Sequence, residues 1–392
     1  MTEKPVDPAS LTNAAVTALN AGDAHGARAL LERATALPGA GAAAWFALSL
    51  THRRLGSPEA EGPALDRTLE LEPSHLPALI RKGDLYAARS DARAANSYYR
   101  AAIKIANGLP ALGPEWRSEV DRISAAVQSN ALVFERHLLS DLTRSGLGGP
   151  GGARFARALD LMLGRRQVYL QQPQIFYFPE LPQIEFYERK EFPWAADLER
   201  QTGVIRAELE AVLAAGERFA PYMQRSPDRP VFNTNGLLDD PTWSACHLIR
   251  NGEEVAANAT LCPRTLAALR ELPLCRIKGR TPTALFSLLR PGAHIPPHHG
   301  FLNTRLICHL PLVVPPECAL RVGNETRPWR EGELTIFDDT MEHEAWNKSS
   351  GLRVVLLFDI WRPELTQTER SLVAAMLESI DRFGGPRREW TQ

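Results

Sequence analysis

The chain has 392 residues, 44% of them hydrophobic and 23% charged, with 45 Lys+Arg against 46 Asp+Glu for a net charge of −1. That length allows two or three domains with sizeable cores, and that composition excludes a disordered chain. The balanced charge leaves no electrostatic case for nucleic acid or an anionic membrane surface as partner.

From the N-terminus, MTEKPVDPASLTNAAV has no apolar signal core, and no apolar run reaches the length of a membrane span, so a cytoplasmic protein is expected. Residues 1–130 are Ala-rich and lack runs of β-branched residues, which points to helices. Gly22, Gly56 and Ser90 fall in similar turns (AGDA, LGSP, RSDA) 34 residues apart, and Ala34, Thr68 and Ala102 keep the same register. Pro38 and Pro73 close the first two units, while Trp45 and Leu48, then Gly83 and Tyr86, occupy the first helix of units two and three. Small residues such as Ala27, Ala34 and Ala102 let paired helices approach, and Leu31, Leu65 and Leu69 fill the seam. One such unit cannot bury its own face, so three stack into a solenoid. The 34-residue helix–turn–helix period resembles the tetratricopeptide repeat. Two roles follow equally: a concave surface for a peptide, or a scaffold that supports the next domain or pairs two copies.

Residues 131–172 read as a helical connector. One helix spans about 131–145, SGLGGPGG interrupts the chain at 145–152, and a second helix over 153–164 puts Phe155, Ala158, Leu159 and Met162 on one face. The Gly-rich stretch has no strand before it and no Lys-Ser/Thr after it, which argues against a phosphate cradle. Aromatics and prolines rise from 165–175, so a new domain is expected over 173–366, followed by a C-terminal helix and tail over 367–392.

The C-terminal domain reads as short strands: 284–289, 305–314, 319–322, 334–337 and 353–361, separated by turn signals. Such strands suit a jelly roll, the double-stranded β-helix of cupin type, whose mouth commonly holds a metal. Five of the ten histidines (His294, His298, His299, His309, His343) fall within fifty residues here. A loop histidine and a second one about 45 residues later form a plausible two-imidazole site for iron, zinc or copper. No carboxylate follows in the His-x-Asp order of common iron sites, since Gly300 stands there. Five cysteines (246, 262, 275, 308, 318), with no CxxC pair, read as core residues in a reducing compartment.

The ordered motifs PHHGFLNTRLICHL, GNETRPW, IFDD, EHEAW and DIWRPEL, with EFPW at 191–194 and ELEAVL at 208–213 upstream, resemble the aspartyl/asparaginyl β-hydroxylase family over about 175–366. The resemblance implies an Fe(II)- and 2-oxoglutarate-dependent dioxygenase that uses O2 to hydroxylate a side-chain β-carbon (Asp, Asn or His) of a peptide or protein. It assigns His298 and His343 as iron ligands, with Gly300 matching the family's own glycine, where water completes the shell. Ser287 and Arg353 match residues binding the distal carboxylate of 2-oxoglutarate, and His309 matches one touching its C1 carboxylate. An arginine in the apolar run 353–361 also needs a partner on physical grounds, because an unpaired charge there is costly. His299 stands as an alternative ligand or, with Arg305, as a substrate contact, and Arg305 fits a structural ion pair as well. Asp338 and Asp339 cap a turn or orient His343, Asn324 and Trp329 form turns, and His294 is structural. Ile307 stands where vertebrate members carry an Arg thought to contact the acidic substrate, and Leu289, His299, Phe301 and Leu302 also depart, which puts an acidic substrate in doubt. The rival readings are a non-catalytic repeat scaffold with a degenerate jelly roll, and a zinc hydrolase. The second would need a water-activating carboxylate near His298.

Overall fold

A computed structural model describes residues 7–149, 151–216, 218–225 and 236–383. The N-terminal six residues, Pro150 of the Gly-rich stretch and the tail 384–392 lie outside the described residues. The chain divides into two compact units, Met1–Ala158 and Leu159–Gln392. No helix among the described residues is long and apolar enough to cross a membrane.

The first unit is a helical repeat array. Its helices are α1 (Pro8–Asn20), α2 (Ala24–Ala36), α3 (Ala42–Arg54), α4 (Pro58–Leu71), α5 (Leu76–Ala88), α6 (Ala92–Asn107) and α7 (Pro114–Arg144). First helices begin at 8, 42 and 76 and second helices at 24, 58 and 92, so the 34-residue period holds in space. Each hairpin turns on a left-handed residue, Gly22, Gly56 or Ser90. The turn, and not the residue type, is what repeats, since Ser90 accepts the conformation at a cost that glycine avoids. Asp23 and Asp91 then cap the second helices by accepting from the amides of Gly26 (2.8 Å) and Ala94 (2.9 Å). Ala27, Leu31, Ala34, Leu65, Thr68 and Ala102 are fully buried in the seams. Gly83 is small for a reason: a Cβ there would fall 2.4 Å from the ring of Tyr99.

Two expectations about the connector need correction. The helix starts at Pro114, not near 131, because nothing between Pro114 and Arg144 breaks it. The helix α8 (Gly152–Met162) buries only Leu159, while Phe155 and Met162 are more than half exposed, so its apolar spacing does not mark a buried face.

The second unit is built of two antiparallel sheets. Its strands are β1 (Phe186–Tyr187), β2 (Ala220–Pro221), β3 (Trp243–Arg250), β4 (Glu253–Glu254), β5 (Ala284–Leu289), β6 (His294–His298), β7 (Arg305–Val313), β8 (Cys318–Val322), β9 (Glu325–Pro328), β10 (Thr335–Phe337), β11 (His343–Asn347) and β12 (Arg353–Trp361). Helices α9 (Ala195–Glu199), α10 (Thr202–Ala214), α11 (Ala256–Ala259), α12 (Pro263–Arg270) and α13 (Gln367–Phe383) accompany them. The larger sheet has the order β1-β10-β7-β12-β5-β3-β2, with β4 beside β3, and the smaller one β6-β11-β8-β9. β6 replaces the loop expected around His298, and it contains Pro296 and Pro297. It tolerates them as an edge strand, where one side of the backbone has no ladder to complete.

The larger sheet is buried on both faces, and the two-residue alternation sorts its side chains. Leu306, Cys308 and Leu310 of β7, with Val354, Leu356 and Phe358 of β12, pack in one core with Ile205, Leu209, Leu266 and Leu269 of α10 and α12. The other face meets the smaller sheet: Trp243, Leu289, Ile307 and Phe337 pack with Ile295, Leu320, Val322 and Ala345. This jelly-roll sandwich is where the sequence-derived site residues converge.

Glycine to alanine inside an exposed helix gains about 1 kcal/mol. At Gly83 the overlap with Tyr99 reverses the sign, so Gly83→Ala should destabilise the repeat unit by about 1–3 kcal/mol in chemical denaturation. An unchanged or raised midpoint would refute the packing argument.

Candidate active site

His298 and His343 are cross-strand partners, joined in register by β6 and β11. Their ring centroids lie 4.0 Å apart at an interplanar angle of 49°. Each ring is tied to the main chain two residues before it: His298 Nδ1 meets the Pro296 carbonyl at 2.8 Å, and His343 Nδ1 meets that of Met341 at 3.0 Å. A carbonyl only accepts, so Nδ1 carries the proton and Nε2 keeps its lone pair. Burial lowers the pKa of His298, and burial together with the neighbouring His298 holds His343 far below the ordinary imidazole range. Two neutral imidazoles with free Nε2 atoms are what a transition metal requires. Among the described residues no group of three or more His, Cys, Asp or Glu is placed to hold a metal, so a metal here would take two protein ligands and solvent or ligand oxygens.

Both histidines line a cavity between the sheets, together with Ser287, His309 and Arg353. Arg353 projects inward from the start of β12 and is 1% exposed. Its Nη1 donates to the Ser287 carbonyl (3.3 Å) and Oγ (3.4 Å), its guanidinium carbon lies 4.5 Å from the Trp329 ring centroid, and its Nε has no partner. Among the described residues no carboxylate pairs with it. Burial without an anion pulls its pKa down to about 9. Trp243 Nε1 also donates to Ser287 Oγ at 3.2 Å, so this hydroxyl receives two donors and keeps its own proton for a ligand. His309 is buried with both ring nitrogens unpartnered, and burial first, then Arg353, lowers its pKa to about 3. A buried guanidinium, a hydroxyl and an unpartnered imidazole on one wall form a receptor for a carboxylate.

The other end of the cavity carries Arg305, Asp339 and Asp359. Arg305 donates to Asp359 Oδ2 at 3.2 Å and to Asp339 Oδ2 at 3.4 Å, so it is both ion-paired and on the cavity wall. Burial works against its charge, but the two aspartates outweigh it and raise its pKa. Asp339 also explains Gly300. A Cβ at Gly300 would fall 2.1 Å from Asp339 Oδ2, and the Gly300 amide donates to the Asp339 carbonyl at 2.6 Å. The position one residue beyond His299 therefore cannot carry a carboxylate while Asp339 occupies that space.

Other expectations sort differently. Asp338 caps its turn through Thr340 (2.6 Å to Oγ1) and pairs with the buried Arg362 at 2.8 Å, but neither aspartate bonds His343. Trp329 is not a turn residue; it lies buried beneath Arg353. Asn324 does hold a turn, donating to the Gln167 carbonyl, and His294 pairs with Glu344 on the outer face. Phe301, Leu302 and Ile307 line the cavity, whereas Leu289 and His299 do not. Sequence reasoning missed Trp243 and the Tyr222 ring stacked on it at 4.0 Å. Nothing in the chain order marks them, because their role depends on β3 lying beside β5.

Residues 199–363 match the family model described as aspartyl/asparaginyl beta-hydroxylase. Ornithine lipid ester-linked acyl 2-hydroxylase of Rhizobium tropici is 39% identical over 180 residues, 45% of this chain and 60% of that protein. Aspartate beta-hydroxylase domain-containing protein 2 of Homo sapiens is 32% identical over 206 residues, 51% and 53% respectively. Aspartyl/asparaginyl beta-hydroxylase of Mus musculus is 42% identical over 143 residues, 35% and 19%. The chain thus spans at most about 60% of the length of these relatives. Over the helical unit, the translocator chaperone SycD of Yersinia enterocolitica overlaps 32% of this chain and 84% of its own, at 13% identity and a TM-score of 0.29.

Two stability measurements check this geometry. Replacing a buried charge that lacks a counter-ion relieves its desolvation, so Arg353→Met should stabilise the ligand-free protein by about 1–3 kcal/mol. A lower melting midpoint would show that Arg353 is already compensated. Gly300→Ala should cost about 1–3 kcal/mol, a drop of roughly 3–10 °C, because the buried Asp339 carboxylate must move. Unchanged melting would show that the space above Gly300 is free.

Proposed function

Residues 199–363 of this chain belong to the aspartyl/asparaginyl β-hydroxylase family, and on that premise we propose an Fe(II)- and 2-oxoglutarate-dependent dioxygenase acting on a side-chain β-carbon (Asp, Asn or His) of a peptide or protein. One observation carries the reading: Arg353 is buried, with no carboxylate partner among the described residues, on the wall of the cavity that holds two neutral imidazoles. His298 and His343 are the proposed iron ligands. Bound there, the metal with 2-oxoglutarate and O2 supplies oxidative decarboxylation to succinate and CO2 and hydroxylation of an unactivated C–H bond.

The chain's own residues bind and orient. Arg353 and the Ser287 hydroxyl hold the distal carboxylate, and His309 contacts the C1 carboxylate. Trp243 fixes the Ser287 hydroxyl from behind. The main-chain carbonyls of Pro296 and Met341 keep both imidazoles in the ligating tautomer. The helical repeats present the polypeptide. A second reading, hydroxylation of an acyl chain, draws support from the apolar wall of Phe301, Leu302 and Ile307 and from the Rhizobium tropici relative.

Anaerobic protein given Fe(II) and 2-oxoglutarate should develop a weak visible charge-transfer band, and admission of O2 with substrate should yield succinate. His343→Ala should lose both signals, and Arg353→Ala should raise the 2-oxoglutarate requirement ten- to a hundredfold. Absence of the band and of succinate from the unsubstituted protein would end the reading.

A further inference from the structure

Outside the two sheets, residues 167–176 form an extended strap across one end of the smaller sheet. The Gln167 amide donates to Asn324 Oδ1 (2.8 Å), that of Gln172 to the Thr340 carbonyl (2.7 Å) and that of Gln174 to the Gly300 carbonyl (2.9 Å). The amides of Ile175 and Phe176 both donate to the Phe301 carbonyl (3.1 and 3.2 Å). Asn324 follows β8, Thr340 precedes β11, and Gly300 and Phe301 follow β6. Register sets these three strand ends side by side, since His343 pairs with both His298 and Val322. The strap thus crosses the strand ends that carry the two histidines, and Phe301 joins it to the cavity.

The alternation of an extended backbone sorts the side chains of this segment. Tyr169 packs on the core between the sheets, Gln171 donates to Asp338 at 2.6 Å, and Phe176 and Phe178 pack with Leu302, Val373 and Leu377. The residues between them point outward: Val168 is 71% exposed, Leu170 55%, Ile175 46% and Tyr177 50%. The inward side chains and the main-chain bonds already pin the strap, so folding does not require the outward set to be apolar. Single exposed apolar residues are ordinary, but a line of large ones on one anchored segment marks a contact surface.

Charge selects the partner. Residues 167–178 carry no charged side chain, and α8, which leads into them, presents exposed Phe155, Leu161 and Met162 beside exposed Arg154 and Arg157. From 153 to 178 there are four arginines (154, 157, 165 and 166) and one acid, Asp160, a net of 4 − 1 = +3, so the near-neutral balance of the whole chain does not extend to this segment. Asp160 is held by Arg165 (3.3 Å) and Arg166 (3.8 Å), and the flanking Glu185 accepts from Asn324 and pairs with Arg166 (3.7 Å). Glu180 stands two residues further on, in an exposed turn. A second copy seated here would set these arginines against their own equivalents, because a two-fold interface joins like patches. We propose that the strap and the helix before it form a membrane-contact surface for anionic lipid. The arginines meet headgroup phosphates, and Val168, Leu170, Ile175 and Tyr177 enter the boundary with the acyl chains. Basic segments with apolar residues beside their arginines lie at bilayer interfaces in this way. The proposal concerns binding, goes beyond the hydroxylase reading and does not depend on it.

Sedimentation of the full chain with vesicles tests it, without iron or 2-oxoglutarate, so that the outcome is separate from that of the hydroxylase reading. Vesicles of equal parts phosphatidylcholine and phosphatidylglycerol should bind the protein about tenfold more tightly than pure phosphatidylcholine, and added salt should weaken that binding. Val168→Ser combined with Leu170→Ser should lower binding to the mixed vesicles about tenfold, and Arg154→Gln combined with Arg157→Gln about threefold or more. All four side chains are exposed, so the melting midpoint should hold. Leu71→Ser, at an exposed apolar residue of α4, should leave binding unchanged. No binding to the mixed vesicles, equal binding to both compositions, binding that Val168→Ser with Leu170→Ser does not alter, or an equal loss with Leu71→Ser overturns the proposal. A dimer in solution that Val168→Ser with Leu170→Ser dissolves, without vesicle binding, overturns it in favour of a second copy.

Discussion

The second unit depends on the two-residue alternation of strands that are covered on both sides. In β7 and β12 every second residue must satisfy the helix-packed core, which leaves the intervening ones free to be polar. Leu306, Cys308 and Leu310 hold the strand in place, and Arg305, Ile307 and His309 face the cavity. A slip of one residue would put guanidinium and imidazole into the helical core and leucines into the site. Register is therefore the means by which stability and chemistry share one strand.

The cavity is polarised along that strand. At one pole a buried guanidinium has no carboxylate partner among the described residues; at the other, Arg305 meets both Asp359 and Asp339. The buried Asp338–Arg362 pair lies outside this scheme. It binds Gln171, Tyr187 and the Pro182 carbonyl and so ties the segment before β1 to the sheet. Neighbouring aspartates in IFDD thus have different surroundings: Asp338 is fully paired, and Asp339 is exposed to the cavity with an open oxygen.

Legibility in the sequence followed the range of the interactions. The 34-residue period was readable because each repeat meets only its neighbours, so local spacing carries the fold. Strands β5 and β12 were readable as apolar runs, with the same limits in sequence and structure. β3 was not, because WSACHLIR is buried on both faces and shows no clean alternation. β6 was hidden by its prolines, and α7 runs unbroken through the expected boundary between repeats and connector at 130/131. The histidines stood out by clustering, but that His298 and His343 pair across strands is a matter of register. Trp243 and Trp329 gain their roles only from strands that come together in three dimensions, as does the closeness of Asp339 to Gly300.

The imidazoles of His298 and His343 are each oriented by the carbonyl two residues upstream, Pro296 within β6 and Met341 just before β11. Every amino acid supplies a carbonyl, so Pro296 and Met341 can be exchanged for other residues without removing the acceptors. A lineage carrying this hairpin can drift around the histidines while inheriting their orientation, provided the strand pairing persists. Divergence in what the cavity accepts then falls on residues such as Ile307 and Phe301, whose replacement leaves the orientation of the two rings to the main chain.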